Sequence, residues 1–123
     1  MVLTGVLGTG AGAAGAAPAG ERAWAGCDYG EICVYSGLNG TGTRCDWYGD
    51  DSNWASGAET CSIRVKSIWN NGKPEAYRHV NFFFKAGHDD FYACARHGWR
   101  GNTGPTNGVK LLSHGWATAC RTN

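Results

Sequence analysis

Beyond Gly20 the chain has no apolar run long enough to cross a bilayer, and it has no excess of charge of either sign: 11 Lys and Arg stand against 10 Asp and Glu, a net charge of +1. The first absence excludes a later transmembrane helix. The second argues against nucleic acid as a partner, because phosphate binding draws on clustered Lys and Arg, and here they are scattered. Helical periodicity is missing too. No window after Gly20 keeps apolar residues at helical spacing for three turns, and Gly, Asn, Asp, Thr and Ser interrupt the chain every few residues. Nucleophile elbow, H-E-x-x-H, phosphate-binding glycine loop and deaminase zinc signature are all absent, so the sequence predicts no enzyme, no cofactor and no metal site.

What the chain does have is six cysteines, at 27, 33, 45, 61, 94 and 120, together with six Trp, five Tyr and four Phe. An even cysteine count in so short a chain reads as a disulfide framework in an exported protein, whose modest core benefits from cross-links. The first twenty residues fit export. Residues 1–19 carry no charged side chain and end on the small-x-small triplet Ala17-Pro18-Ala19, the apolar half and cleavage site of a signal peptide truncated at its start. Residues 20–26 then form an N-terminal arm, suited to adding to the edge of a partner's sheet, and 27–123 a single domain. Localisation is predicted to be extracellular.

The domain reads as all-β. Short runs such as "ICVYSG", "CSIRVKSIW", "YRHVNFFFKAG", "FYACA", "GVKLLSHGW" and "WATAC" are strand-length, rich in β-branched or aromatic residues, and punctuated by Asn39-Gly40, Asn71-Gly72 and Asn107-Gly108. They also repeat. At an offset of 49, Tyr35 falls on Phe84, Gly37 on Ala86, Cys45 on Cys94 and Gly49 on Gly98; farther on, Ser67 falls on Ser113 after a three-residue deletion. Two units that cannot each bury an aromatic face alone predict a sandwich of two Greek keys.

The opening C-x-x-G-x-x-C-x-Y-S-G, here Cys27, Gly30, Cys33, Tyr35, Ser36 and Gly37, resembles the start of the Streptomyces-type metalloproteinase inhibitors, small secreted actinobacterial proteins with a βγ-crystallin-like fold. "KSIWNNG" (66–72) and "LLSHGW" (111–116) resemble the closing strands of the two crystallin motifs. The resemblance implies a small disulfide loop between Cys27 and Cys33; zinc-ligand and C-x-x-C spacings are absent in any case. The repeat favours Cys45 with Cys61 and Cys94 with Cys120, each bond contributing about 2–4 kcal/mol. The resemblance also implies an inhibitory loop at Cys94, Ala95, Arg96, His97, Gly98 and Trp99, where Cys94 and Arg96 match the family but Trp99 replaces a second loop cysteine that would close a rigid ring. The calcium sites of related crystallin domains would fall on 62–67 and 108–113, where the carboxylates are replaced by apolar residues, so no calcium is expected.

Three function classes follow. The first is an inhibitor of a secreted metallopeptidase, not an enzyme. The second, favoured by the missing loop cysteine, is an adaptor or subunit of a secreted antibacterial toxin complex that keeps the inhibitor-like fold for docking. The third is a carbohydrate-binding module using Trp47, Tyr48 and Trp54, whose alternative role is to close the sandwich ends. Two lesser candidates are His88-Asp89-Asp90, a ligand or acid/base set or a solvated turn, and Asp46, Asp50 and Asp51, which flank the aromatic loop.

Overall fold

A computed structural model describes residues 23–122. Among them there is no helix, and seven strands form: β1 (Glu31–Tyr35), β2 (Arg44–Trp47), β3 (Ser67–Asn71), β4 (His79–Lys85), β5 (Asp89–Ala95), β6 (Arg100–Asn102) and β7 (Ser113–Ala117). All pairings are antiparallel, giving a four-stranded sheet in the order β2-β1-β3-β6 and a three-stranded sheet in the order β5-β4-β7. In each half the last strand returns beside the first, β3 beside β1 and β7 beside β4, which is the Greek-key return. The halves also exchange strands. β6 of the second half completes the first sheet, and Asp51 of the first half bridges His114 on β7.

Alternation along β1 and β4 explains why these two strands are central. Ile32 and Val34 from β1 meet Val80 and Phe82 from β4 in a core completed by Trp47, Trp54, Ile68 and Leu111. The outer faces are covered as well, each by a terminal segment and a disulfide. Over the first sheet, Trp24 packs edge-on against Tyr35 and Trp69 beside the Cys27–Cys33 bond, with the Arg100 guanidinium 5.3 and 5.2 Å from the Trp24 and Trp69 rings. Over the second, the Cys94–Cys120 bond brings the C-terminal segment across β5, and Arg121 lies over Phe83 and Phe91. Ala23 to Gly26, the described part of the expected arm, is thus docked on its own domain, with the Trp24 amide donating to Gly40 O at 2.8 Å. Residues 1–19, read as a signal peptide, lie outside the described residues.

All three disulfides pair as the repeat and the resemblance imply: Cys27–Cys33, Cys45–Cys61 and Cys94–Cys120. The repeat itself needs one correction. In register, Tyr35 faces Ser67 and Phe83 faces Ser113, so Tyr35 corresponds to Phe83 rather than Phe84. The cause is a β-bulge between Phe82 and Phe83, where β5 holds one extra residue, so the offset is 48 before it and 49 at the cysteines beyond. The two serines expose the symmetry. Ser67 Oγ donates to Gly37 O and accepts from the Gly40 amide, and Ser113 Oγ donates to Lys85 O and accepts from the His88 amide, so that both hairpin partners, though not the serines themselves, stand at an offset of 48. Each serine clasps the preceding hairpin onto its sheet. The clasped residue has φ of 70° at Gly40 and 59° at His88, and at Gly40 a side chain would also collide with the Trp24 ring.

Several expected strands are shorter than their hydrophobic runs. Cys61 to Lys66 contributes only Val65, which bridges Val109 with reciprocal bonds of 2.8 and 2.9 Å, and β7 ends at Ala117 before Cys120. Those two valines lie in the runs expected to lack calcium ligands, and each carbonyl accepts the other's amide N–H.

Candidate functional site

The segment from Cys94 to Trp99 joins β5 to β6, the strand that crosses to the other sheet, so its ends are anchored in both layers. Cys94 is tied to Cys120 rather than to a cysteine within the loop. A different residue takes over the work of the missing ring. Asn70, fully buried on β3, donates its amide N–H to Trp99 O at 2.9 Å and accepts the Gly98 N–H at 3.0 Å on its carbonyl. Its side chain donates to Ala95 O and Arg78 O, both at 2.9 Å, and accepts from the Gly72 amide at 2.9 Å. A tight turn from Arg96 O to the Trp99 amide, 2.9 Å, closes the tip. His97 adds two ties, its amide to His79 Nδ1 at 3.1 Å and its Nε2 to Gly72 O at 3.1 Å; that second contact makes Nε2 the protonated ring nitrogen. The loop backbone is therefore held at Ala95, His97, Gly98 and Trp99 without a local disulfide.

This arrangement divides the expected loop residues. Ala95 is 2% exposed and packs in the core, so its side chain is unavailable to a partner, a correction to its place in the contact loop that follows from the inward phase of β5. Arg96, His97, Gly98 and Trp99 are exposed. Asn70 went unread in the sequence because Asn70-Asn71-Gly72 has the composition of a turn; its only signal was an amide side chain at an inward position of "KSIWNNG".

The aromatic loop comes out differently. Trp47 and Trp54 are buried and stacked 4.6 Å apart, so they close the core and present no platform to a sugar; of the three expected contacts only Tyr48 reaches solvent. Both indoles surround His114, itself fully buried. Trp54 Nε1–H donates to His114 Nδ1 at 3.0 Å, and Nε2–H of that imidazole donates to Gly49 O at 2.8 Å, which defines one neutral tautomer. Burial pushes the imidazole down to about 4, a shift only partly opposed by the Gly49 carbonyl and the nearby Asp50 and Asp51 charges. The neighbouring carboxylates also have structural partners: Asp46 pairs with Arg44, Asp50 accepts from the Trp116 amide, and Asp51 accepts from Trp47 Nε1 and the Asn53 amide. Tyr48 instead lines an open groove of about 490 Å³ with Tyr77, Trp116, Asp50, Lys73 and Glu75.

Of the remaining ligand-like groups, Cys27, Cys33, Glu31 and His88 are tied into the fold, whereas Asp89 and Asp90 are exposed. Cys27, Glu31 and Cys33 lie within 4.8 Å of one another, but the two sulfurs are bonded to each other, leaving one carboxylate. That Glu31 carboxyl is raised to about 7, chiefly by burial; the Asp28 amide opposes the shift and the adjacent Asp46 adds to it. His88 of the His-Asp-Asp set is a hairpin residue whose Nε2 meets His114 O at 2.9 Å.

The described residues thus form a disulfide-stapled sandwich with an exposed loop whose backbone is held at Ala95, His97, Gly98 and Trp99. Residues 20–94 match the model of peptidase inhibitor family I36. That match spans more than half of the chain, and the chain belongs to this family, whose members inhibit peptidases and are not enzymes. The match ends at Cys94, where the candidate loop begins. Comparison with curated proteins gives no match, and comparison with solved structures gives none. Three disulfides and membership of this inhibitor family are consistent with an extracellular setting, and no helix among the described residues is long and apolar enough to cross a membrane.

Proposed function

We propose that the protein is secreted, with residues 1–19 removed, and that it blocks an extracellular metallopeptidase by lodging Arg96 to Trp99 in the active-site cleft. The observation that carries this reading is the set of Asn70 bonds holding the loop backbone in one shape while its tip stays exposed. A loop already ordered loses little conformational freedom on binding, and this is where a small inhibitor gains its affinity. The same constraint slows turnover, because the bond presented to the enzyme is part of a framework that cannot relax toward products. A docking role in a secreted toxin complex draws support from the missing cysteine only if the loop is slack, and Asn70 keeps it taut.

The test is a titration of thermolysin-like and other secreted metallopeptidases with the mature protein. Stoichiometric loss of peptidase activity at micromolar protein or below supports the proposal. No slowing of any enzyme, together with recovery of large non-peptidase proteins in a pull-down from culture supernatant, rejects it.

A further inference from the structure

Of the four exposed loop residues, Arg96 alone carries a permanently charged side chain. The His97 ring is turned back onto Gly72 O, Gly98 has no side chain, and the Trp99 ring, 43% exposed, is apolar and lies along the backbone at Gly101. Among the described residues the Arg96 guanidinium has no hydrogen bond or ion pair, and the one salt bridge is Arg44 with Asp46. Its surroundings are cationic. Arg78 lies at the same end, its carbonyl sharing the Asn70 side-chain amide with Ala95 O, and His79 Nδ1 accepts the His97 amide; burial first, then the charges of Arg78, Arg96 and His97, hold His79 below its ordinary value.

Resting on the inhibitor reading above, we infer that the peptidase blocked by this loop carries a carboxylate in the subsite that receives Arg96, with an acidic rim facing Arg78. A guanidinium is a rigid fork of donors that fits a carboxylate with two parallel bonds, whereas an apolar pocket would strip its water and return no partner. Ala95, the apolar side chain that follows Cys94, is inside the core and cannot supply the alternative contact. Arg96 is thus the specificity-determining residue, and like charge around it selects against cationic clefts.

The experiment measures inhibition constants of the mature protein and its Arg96→Leu and Arg96→Lys variants against two metallopeptidases. One cleaves beside basic residues through a carboxylate-bearing pocket, and the other beside large apolar residues. Because Arg96 is exposed and unpaired, the variants should melt with the wild type. The inference predicts tighter inhibition of the first enzyme, weakened on the order of 100-fold by Arg96→Leu and about tenfold by Arg96→Lys, since a lone ammonium recovers the charge but not the fork. Raising the salt concentration should weaken it further, mainly through slower association. Inhibition of the apolar-pocket enzyme alone, unchanged or improved by Arg96→Leu, overturns the inference and leaves the inhibitor reading standing. Inhibition of neither enzyme, nor of any metallopeptidase in the wider titration, overturns both.

Discussion

Replacing Asn70 with Ala removes three side-chain hydrogen bonds at once, to Ala95 O, Arg78 O and the Gly72 amide, while keeping the backbone pairs to Gly98 and Trp99. Arg78 is exposed and its carbonyl can turn to water, but Ala95 and Gly72 are buried and their groups would be orphaned. An unsatisfied buried group costs about 1–3 kcal/mol, so the variant should lose about 2–4 kcal/mol. For a domain of this size that is a fall of roughly 10–20 °C in Tm. The loss should also be local in character. In hydrogen exchange, the Gly98 and Trp99 amides should open ahead of those in β1 and β4, and inhibition of the target peptidase should weaken by about tenfold for each 1.4 kcal/mol of loop order lost. If the Gly98 and Trp99 amides exchange as slowly as in the wild type, or if the inhibition constant is unchanged, Asn70 does not hold the loop and the reasoning fails.

Acid stability should report two buried groups of opposite sign. His114, lowered to about 4, contributes stability that is present above its ordinary 6.5 and lost as pH falls through 4, about 3 kcal/mol in all. Glu31, raised to about 7, contributes stability that is present below its ordinary 4.5 and lost as pH rises through 7, so the two slopes oppose each other between about 4.5 and 6.5. Urea midpoints of the wild type should vary little across that window, whereas Glu31→Gln should become markedly less stable on acidification; identical profiles would refute the assignment. Trp24→Ala should cost about 2 kcal/mol by uncovering Tyr35 and Trp69, measurable as a lower urea midpoint, and no effect would mean that residues 23–26 are not docked. Because Trp47 and Trp54 are buried, soluble cell-wall glycans should leave their fluorescence unquenched, and saturable quenching that persists in a Trp99→Phe, Trp116→Phe double variant but is lost on Trp47→Phe would contradict their burial.

Strand character was legible wherever β-branched and aromatic residues alternate, as in β1, β4 and β5. β2 was legible only through the repeat, which sets Cys45 against the cysteine-bearing strand at Cys94, and β6 was not legible at all, since Arg-Cys-Asp-Trp and Arg-Gly-Asn have no apolar alternation of their own. They are strands because neighbours bring them into register: β1 recruits β2, and β3 recruits β6 from the other half. The aromatic loop was ambiguous for a related reason. Trp47 and Trp54 have the composition of a binding surface, and only packing against His114 and Phe82 marks them as core.

Composition, cysteine count and repeat by themselves determined an all-β, twice-repeated, cross-linked domain with no catalytic motif, because these depend on local periodicity and on pairing within each half. Only the tertiary structure decided what holds the candidate loop and which of its side chains face outward. Asn70 lies 25 positions from Ala95 and acts through bonds across the boundary between sheets. No local pattern encodes such a contact, and the same crossing that creates it buries Ala95 and leaves Arg96 free.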